Sequence, residues 1–132
     1  LLDPLFEVAA QRRIPIIAHG KDDLFSMPGK FEVMAKRHPK VNLIMAHMGV
    51  DRALGAAIRA AARCPNLYLD TSSVSPYAIR QALCGVSAEK ILMGTDAPWG
   101  RFELSIEAVM QATADPGERE LILGQNLLRI LS

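Results

Sequence analysis

Four short apolar runs, each about the length of a buried strand, divide the chain at regular intervals. They occupy residues 14–18, 41–46, 66–69 and 90–94 and are rich in β-branched residues and leucine. None alternates cleanly between apolar and polar positions. Near-continuous apolar runs are what a parallel sheet covered on both faces produces. Segments of helical period fill the gaps. In 28–38, Phe31, Met34, Ala35 and His38 share one face, and Pro39 stops the helix. In 52–63 the apolar positions are Leu54, Ala57, Ile58, Ala61 and Ala62, with Asp51 as the expected N-cap. A third helix opens on Ser75 as cap with Pro76 at its first position and ends at Gly85. A fourth covers 102–113, and Asp115-Pro116 begins a last one reaching about Leu123, ahead of a final apolar turn. The opening Asp3-Pro4 reads as a capped helix entering the first strand. The predicted order is α-β-α-β-α-β-α-β-α-α. This is a βα repeat of α/β class forming one domain over 1–132, with no linker or low-complexity stretch.

Each apolar run closes on a residue able to bind a metal or move a proton: His19, His47, Asp70 and Asp96. They lie 28, 23 and 26 residues apart, one βα unit each time. Because side chains alternate along a strand, Ile17 is expected to share a face with His19, Leu43 and Met45 with His47, Tyr68 with Asp70, and Gly94 with Asp96. If the strands are parallel, all four polar groups collect at the carboxyl edge of the sheet, where α/β folds place their sites. Taken singly, a strand-end histidine is commonly a hydrogen-bonding terminator. Asp70 reads equally well as the N-cap of the helix that follows. The set of four is what points to a site. His38 reads as a surface or helix-end residue, Cys64 and Cys84 as buried filler, and Arg52, Arg59 and Arg63 as a solvated helix face. Two imidazoles and a carboxylate at one edge suit a divalent metal, zinc by ligand type, which activates water while a neighbouring His or Asp moves protons.

Composition narrows the alternatives. Of 132 residues, 50% are hydrophobic and 22% charged, with a net charge of +1. That excludes a disordered tail and gives no electrostatic reason to expect nucleic acid. No apolar run is long enough to span a membrane. The two cysteines lack CxxC spacing, and the chain opens on Leu without a charged-then-apolar leader. The expectation is therefore a reduced, cytoplasmic compartment and a chain that has lost something before residue 1. No nucleophile elbow, Walker loop or dinucleotide fingerprint is present.

The four motifs 16–20, 43–49, 66–72 and 91–99, together with Ile122-Leu123-Gly124-Gln125-Asn126, resemble the amidohydrolase superfamily. More narrowly, they resemble its amidohydrolase-2 branch of metal-dependent hydrolases and decarboxylases, which includes aminocarboxymuconate-semialdehyde decarboxylase. The resemblance implies a (β/α)₈ barrel, a fold of about 250 residues, of which this chain would be strands five to eight. It further implies that His19 is the strand-five metal ligand and that Asp96 is the strand-eight aspartate, binding metal and shuttling a proton. His47 would be the strand-six histidine, an acid/base or water-orienting group, or a second-metal ligand. Asp70 falls on strand seven, where its role is less settled. The His-x-His of the family's first strand has no counterpart here. The reading is a metal-dependent hydrolase or decarboxylase of a small organic substrate. Its rivals are a non-catalytic α/β ligand-binding domain and an inactive remnant. Self-association is expected, because a half barrel leaves the face carrying Leu43, Met45, Tyr68 and Leu92 uncovered.

Overall fold

The computed structural model describes residues 1–132, except for the side chain of Asp51. The cap expected of Asp51 therefore lies outside the described residues. Strands β1 (Ile16–His19), β2 (Leu43–Ala46), β3 (Leu67–Asp70) and β4 (Ile91–Leu92) form one sheet in the order β1-β2-β3-β4. All three pairings are parallel. Helices α1 (Asp3–Arg12), α2 (Pro28–Arg37), α3 (Leu54–Arg63) and α4 (Pro76–Gly85) alternate with the strands. After β4 come α5 (Phe102–Ala112), α6 (Pro116–Glu120), a π-helical turn (Leu121–Gln125) and α7 (Asn126–Leu131). The chain thus ends in one more helix than its pattern predicts, because the π turn breaks the last periodic segment. Among the described residues, no helix is long and apolar enough to cross a membrane.

Local chemistry explains most boundaries. Ser75 caps α4 by accepting from the Ala78 N–H at 3.2 Å, and Asp115 caps α6 by accepting from the Glu118 N–H at 3.0 Å. Asp3 does not cap α1, which begins with no side-chain cap. Its carboxylate instead reaches His38 Nε2 at 2.9 Å, and the His38 ring stacks on Phe6 with centroids 4.5 Å apart. His38 is thus the tie between α1 and α2 rather than a free surface group. Cys64 is buried as expected, whereas Cys84 is exposed.

The register separates two faces. Leu43, Met45, Leu67, Leu69 and Ile91 fall on one side and pack with Phe6, Phe31, Ala35, Ala57, Ile79 and Val109 from the helices. Leu43 and Met45 therefore belong to the helix-covered core, against expectation. The opposite face carries Ile17, Ile44, Tyr68 and Leu92. Ile130 of α7 folds onto it and buries Ile44 and Leu92, with Tyr68 alongside. Ile17 stays 63% exposed. The sheet is thus covered fully on one face and only in part on the other.

The two outer edges also differ. At β4 the Met93 N–H donates to the Ile122 carbonyl at 2.9 Å, and the Ile91 carbonyl accepts from Asn126 Nδ2 at 2.8 Å. The C-terminal segment closes that edge. At β1 the Ile16 and Gly20 N–H groups point to β2, donating to Asn42 and Ala46. Alternation then turns the backbone of Ile17 and His19 outward, with no backbone partner among the described residues. An apolar groove of about 540 Å³, lined by Leu5, Phe6, Ile17, Phe25 and Met34, runs beside this bare edge.

The amino-terminal end of the sheet is stitched by polar side chains. Asn66 Nδ2 lies 2.8–3.1 Å from the carbonyls of Ala35, His38 and Val41. Lys90 Nζ donates to the carbonyls of Cys64 and Pro65 at 2.9 and 2.6 Å and sits over the Tyr68 ring. Burial pushes the Lys90 ammonium down to about 8. Asn66 and Lys90 thus tie neighbouring segments at the end of the sheet away from the strand-end acids and histidines.

Candidate functional site

His19 is the last residue of β1, and its side chain is exposed at the carboxyl edge. His47 lies just beyond β2, in a 3₁₀ turn formed by His47–Gly49. Strand alternation would send its ring to the helix side with Met45. The backbone prevents this: His47 and Met48 adopt φ of 64° and 35°, and Gly49 adopts 79°. This left-handed run reverses the side-chain direction, and the His47 ring meets the His19 ring at 4.9 Å, edge to face. Ser73 and Asp96 are left-handed as well, at φ of 59° and 58°. Four of the five non-glycine residues with positive φ therefore stand in loops after strands, the fifth being Arg13 at the end of α1. Such backbone costs about 1–3 kcal/mol per residue and collects where function demands a particular direction.

Asp70, the last residue of β3, is buried and does not cap α4, a role that belongs to Ser75. Its Oδ1 accepts from the N–H groups of His47 at 3.2 Å and Ser72 at 3.0 Å, and from the Ser72 hydroxyl. A carboxylate bonding the backbone two residues on is an Asx turn. Here the same oxygen also clamps the turn after β2. A Cβ at Gly94 would overlap the Asp70 carboxylate, so this position on the β4 side must be glycine. The His47 ring is held in turn: Nδ1 lies 3.0 Å from Ser72 Oγ and 3.2 Å from the Ser72 carbonyl oxygen.

Asp96 stands in the loop after β4, half-buried, and accepts from the Ser73 hydroxyl at 2.9 Å. Beside it is a cleft of about 170 Å³ lined by Thr71, Ser73, Thr95 and Arg101. In the loop after β1, the hydrogen bond from Ser26 holds the Asp23 carboxyl below its usual value, fixing the path into α2. Of the residues singled out by sequence, His19 and His47 thus touch through their rings, and Asp70 holds the turn at His47. Asp96 is tied to the Ser73 loop. Among the described residues, no group of three or more His, Cys, Asp or Glu is arranged to hold a metal ion. Sequence reasoning missed Ser72. The available signal was an Asp followed two positions later by Ser at a strand end.

The model of the amidohydrolase family, in its amidohydrolase-2 branch, matches residues 1–132. The chain belongs to the amidohydrolase family. Solved amidohydrolase folds agree in shape. An amidohydrolase 2 from Bifidobacterium longum subsp. infantis superposes with a TM-score of 0.72 at 21% identity, over 95% of this chain and 52% of its own. A dihydroxybenzoic acid decarboxylase from Polaromonas sp. JS666, with bound manganese and the inhibitor 2-nitroresorcinol, gives 0.70 at 16%, over 96% and 52%. A dihydroorotase from Campylobacter jejuni gives 0.68 at 17%, over 98% and 52%. No curated protein sequence matches the chain. The chain spans about half the length of these structural relatives.

Proposed function

We propose that this chain is strands five to eight of an amidohydrolase-type (β/α)₈ barrel, whose intact site hydrolyses or decarboxylates a small organic substrate. The contact of the His19 and His47 rings at 4.9 Å, at the carboxyl edge of a parallel sheet, carries the reading. Imidazole and carboxylate are the usual donors to a catalytic divalent cation, so the residues present fit one as part of a ligand set. His19 and Asp96 would hold it. Catalytic zinc sites take three protein ligands, so the remainder would come from strands outside this chain. When bound, such an ion supplies Lewis-acid polarisation of water or of a substrate oxygen. His47 orients the attacking water or carries the proton, with its ring fixed at Ser72. Asp96, anchored by Ser73, takes part in the proton transfer. Family membership supports a divalent metal, and the manganese-bound decarboxylase supports manganese as readily as the zinc suggested by ligand type.

The test is made on the intact protein. Elemental analysis identifies the metal, and His19→Ala or Asp96→Ala is expected to remove most of it together with turnover. Full metal stoichiometry in His19→Ala would overturn the ligand assignment.

A further inference from the structure

A histidine tautomer follows from hydrogen-bond arithmetic at His47, and it gives Asp70 and Ser72 a role in the site. Asp70 is buried and its Oδ1 receives three donors: two backbone N–H groups and the Ser72 hydroxyl. An oxygen that faces two backbone N–H donors is an acceptor, so the single Ser72 hydroxyl proton points at Asp70. Ser72 Oγ is therefore left with only lone pairs toward His47 Nδ1, 3.0 Å away. The other neighbour of Nδ1 is the Ser72 carbonyl oxygen at 3.2 Å, which also only accepts. Both partners demand a proton on Nδ1. The neutral ring then carries its lone pair on Nε2, which has no hydrogen-bond partner among the described residues.

We infer that Asp70 and Ser72 are positioning residues that lock neutral His47 as the Nδ1–H tautomer, presenting Nε2 as the basic or ligating atom of the site. The chain of causes runs from Asp70 through the orientation of one hydroxyl proton to the imidazole. Gly94 belongs to the same device, because any side chain there would displace the carboxylate. Sequence distance hides this coupling: Asp70 and Ser72 sit 23 and 25 positions beyond His47. Its catalytic meaning rests on the proposed reading of His47, but the tautomer itself does not.

Long-range ¹H–¹⁵N correlation spectra of the 132-residue chain at about pH 8.5, where an imidazole is neutral, report the tautomer directly. Nδ1 of His47 is expected to be pyrrole-like and Nε2 pyridine-like, assigned by loss of the signals in His47→Gln. A pyridine-like Nδ1 would overturn the inference. Asp70→Ala frees the Ser72 hydroxyl to donate to Nδ1, leaving only the Ser72 carbonyl to hold the proton there, and the share of the Nδ1–H form is expected to fall. Asp70→Asn keeps an acceptor oxygen before the same three donors and is expected to retain it. An unchanged tautomer in Asp70→Ala would remove Asp70 from the device. Should Asp70→Ala fail to fold, the unsubstituted chain still decides the tautomer, and a pyridine-like Nδ1 there overturns the inference. An inactive intact enzyme with the expected tautomer would count against the proposed function and leave this inference standing.

Discussion

At His47 one residue's backbone decides what its side chain can do. A left-handed φ of 64° takes the ring out of the strand's alternation and sets it against His19. Removing the imidazole while keeping a polar side chain of similar reach isolates its part in proton transfer. His47→Asn in the intact protein is expected to lower turnover by about 10²-fold or more with bound metal retained, which paired kinetics and elemental analysis will show. Metal lost in parallel would instead mean that His47 is a ligand. Gly94 makes a complementary case, since it matters for what it lacks. Gly94→Ala places a methyl group on the Asp70 carboxylate and is expected to cost about 1–3 kcal/mol in chemical denaturation, the range of overpacked sites.

Between elements, buried polar side chains fix how the pieces meet. Asn126, wholly buried, donates to the carbonyls of Ala88 and Ile91, both at 2.8 Å, and so seats α7 under β4. Asn126→Ala leaves the buried Ile91 carbonyl unpaired, whereas the Ala88 carbonyl keeps the Ile91 N–H. The expected loss is about 1–3 kcal/mol, read as a lower denaturation midpoint. The tie between α1 and α2 depends on pH. The hydrogen bond from His38, with help from Arg37, holds the half-buried Asp3 carboxyl below its ordinary value of 3.8. The unfolded chain then binds more protons than the folded one as pH falls toward that lower value. The stabilisation is therefore complete above the ordinary value and is lost as pH falls through the folded one. Thermal unfolding should show wild type exceeding Asp3→Asn in stability at neutral pH, with the gap closing toward pH 3 or below.

The molecule as a whole has one sealed edge and one bare edge. The Ile122 carbonyl and the Asn126 amide occupy the outer side of β4, whereas Ile17 and His19 turn unpaired backbone outward beside an apolar groove. Head-to-tail pairing of β1 with β4 is blocked. The isolated 132-residue chain is therefore expected to associate with a second copy β1 to β1, an antiparallel contact that closes at a dimer. Ile17, exposed on this strand, offers the control. Ile17→Lys should leave the fold intact by circular dichroism and shift sedimentation at micromolar concentration to the monomer. A wild-type monomer at that concentration would overturn the expectation.

Periodicity and strand-end chemistry made the βα order, the four strands and the His19–His47–Asp70–Asp96 series legible from sequence, because each depends on neighbours within one element. The ends of α4 and α6 were equally plain, since Ser75 and Asp115 act within three residues of themselves. Other features lie beyond local pattern. The face of Leu43 and Met45 follows from register against β3, which a run without alternation does not encode. Burial of Ile44 and Leu92 follows from where α7 returns. The direction of the His47 ring required a left-handed turn clamped by a carboxylate 23 residues away. Composition and period thus named His19, His47, Asp70 and Asp96 as candidates for a site. Tertiary contacts alone decided which way they face, because register, backbone handedness and long-range hydrogen bonds are properties of pairs of elements rather than of one.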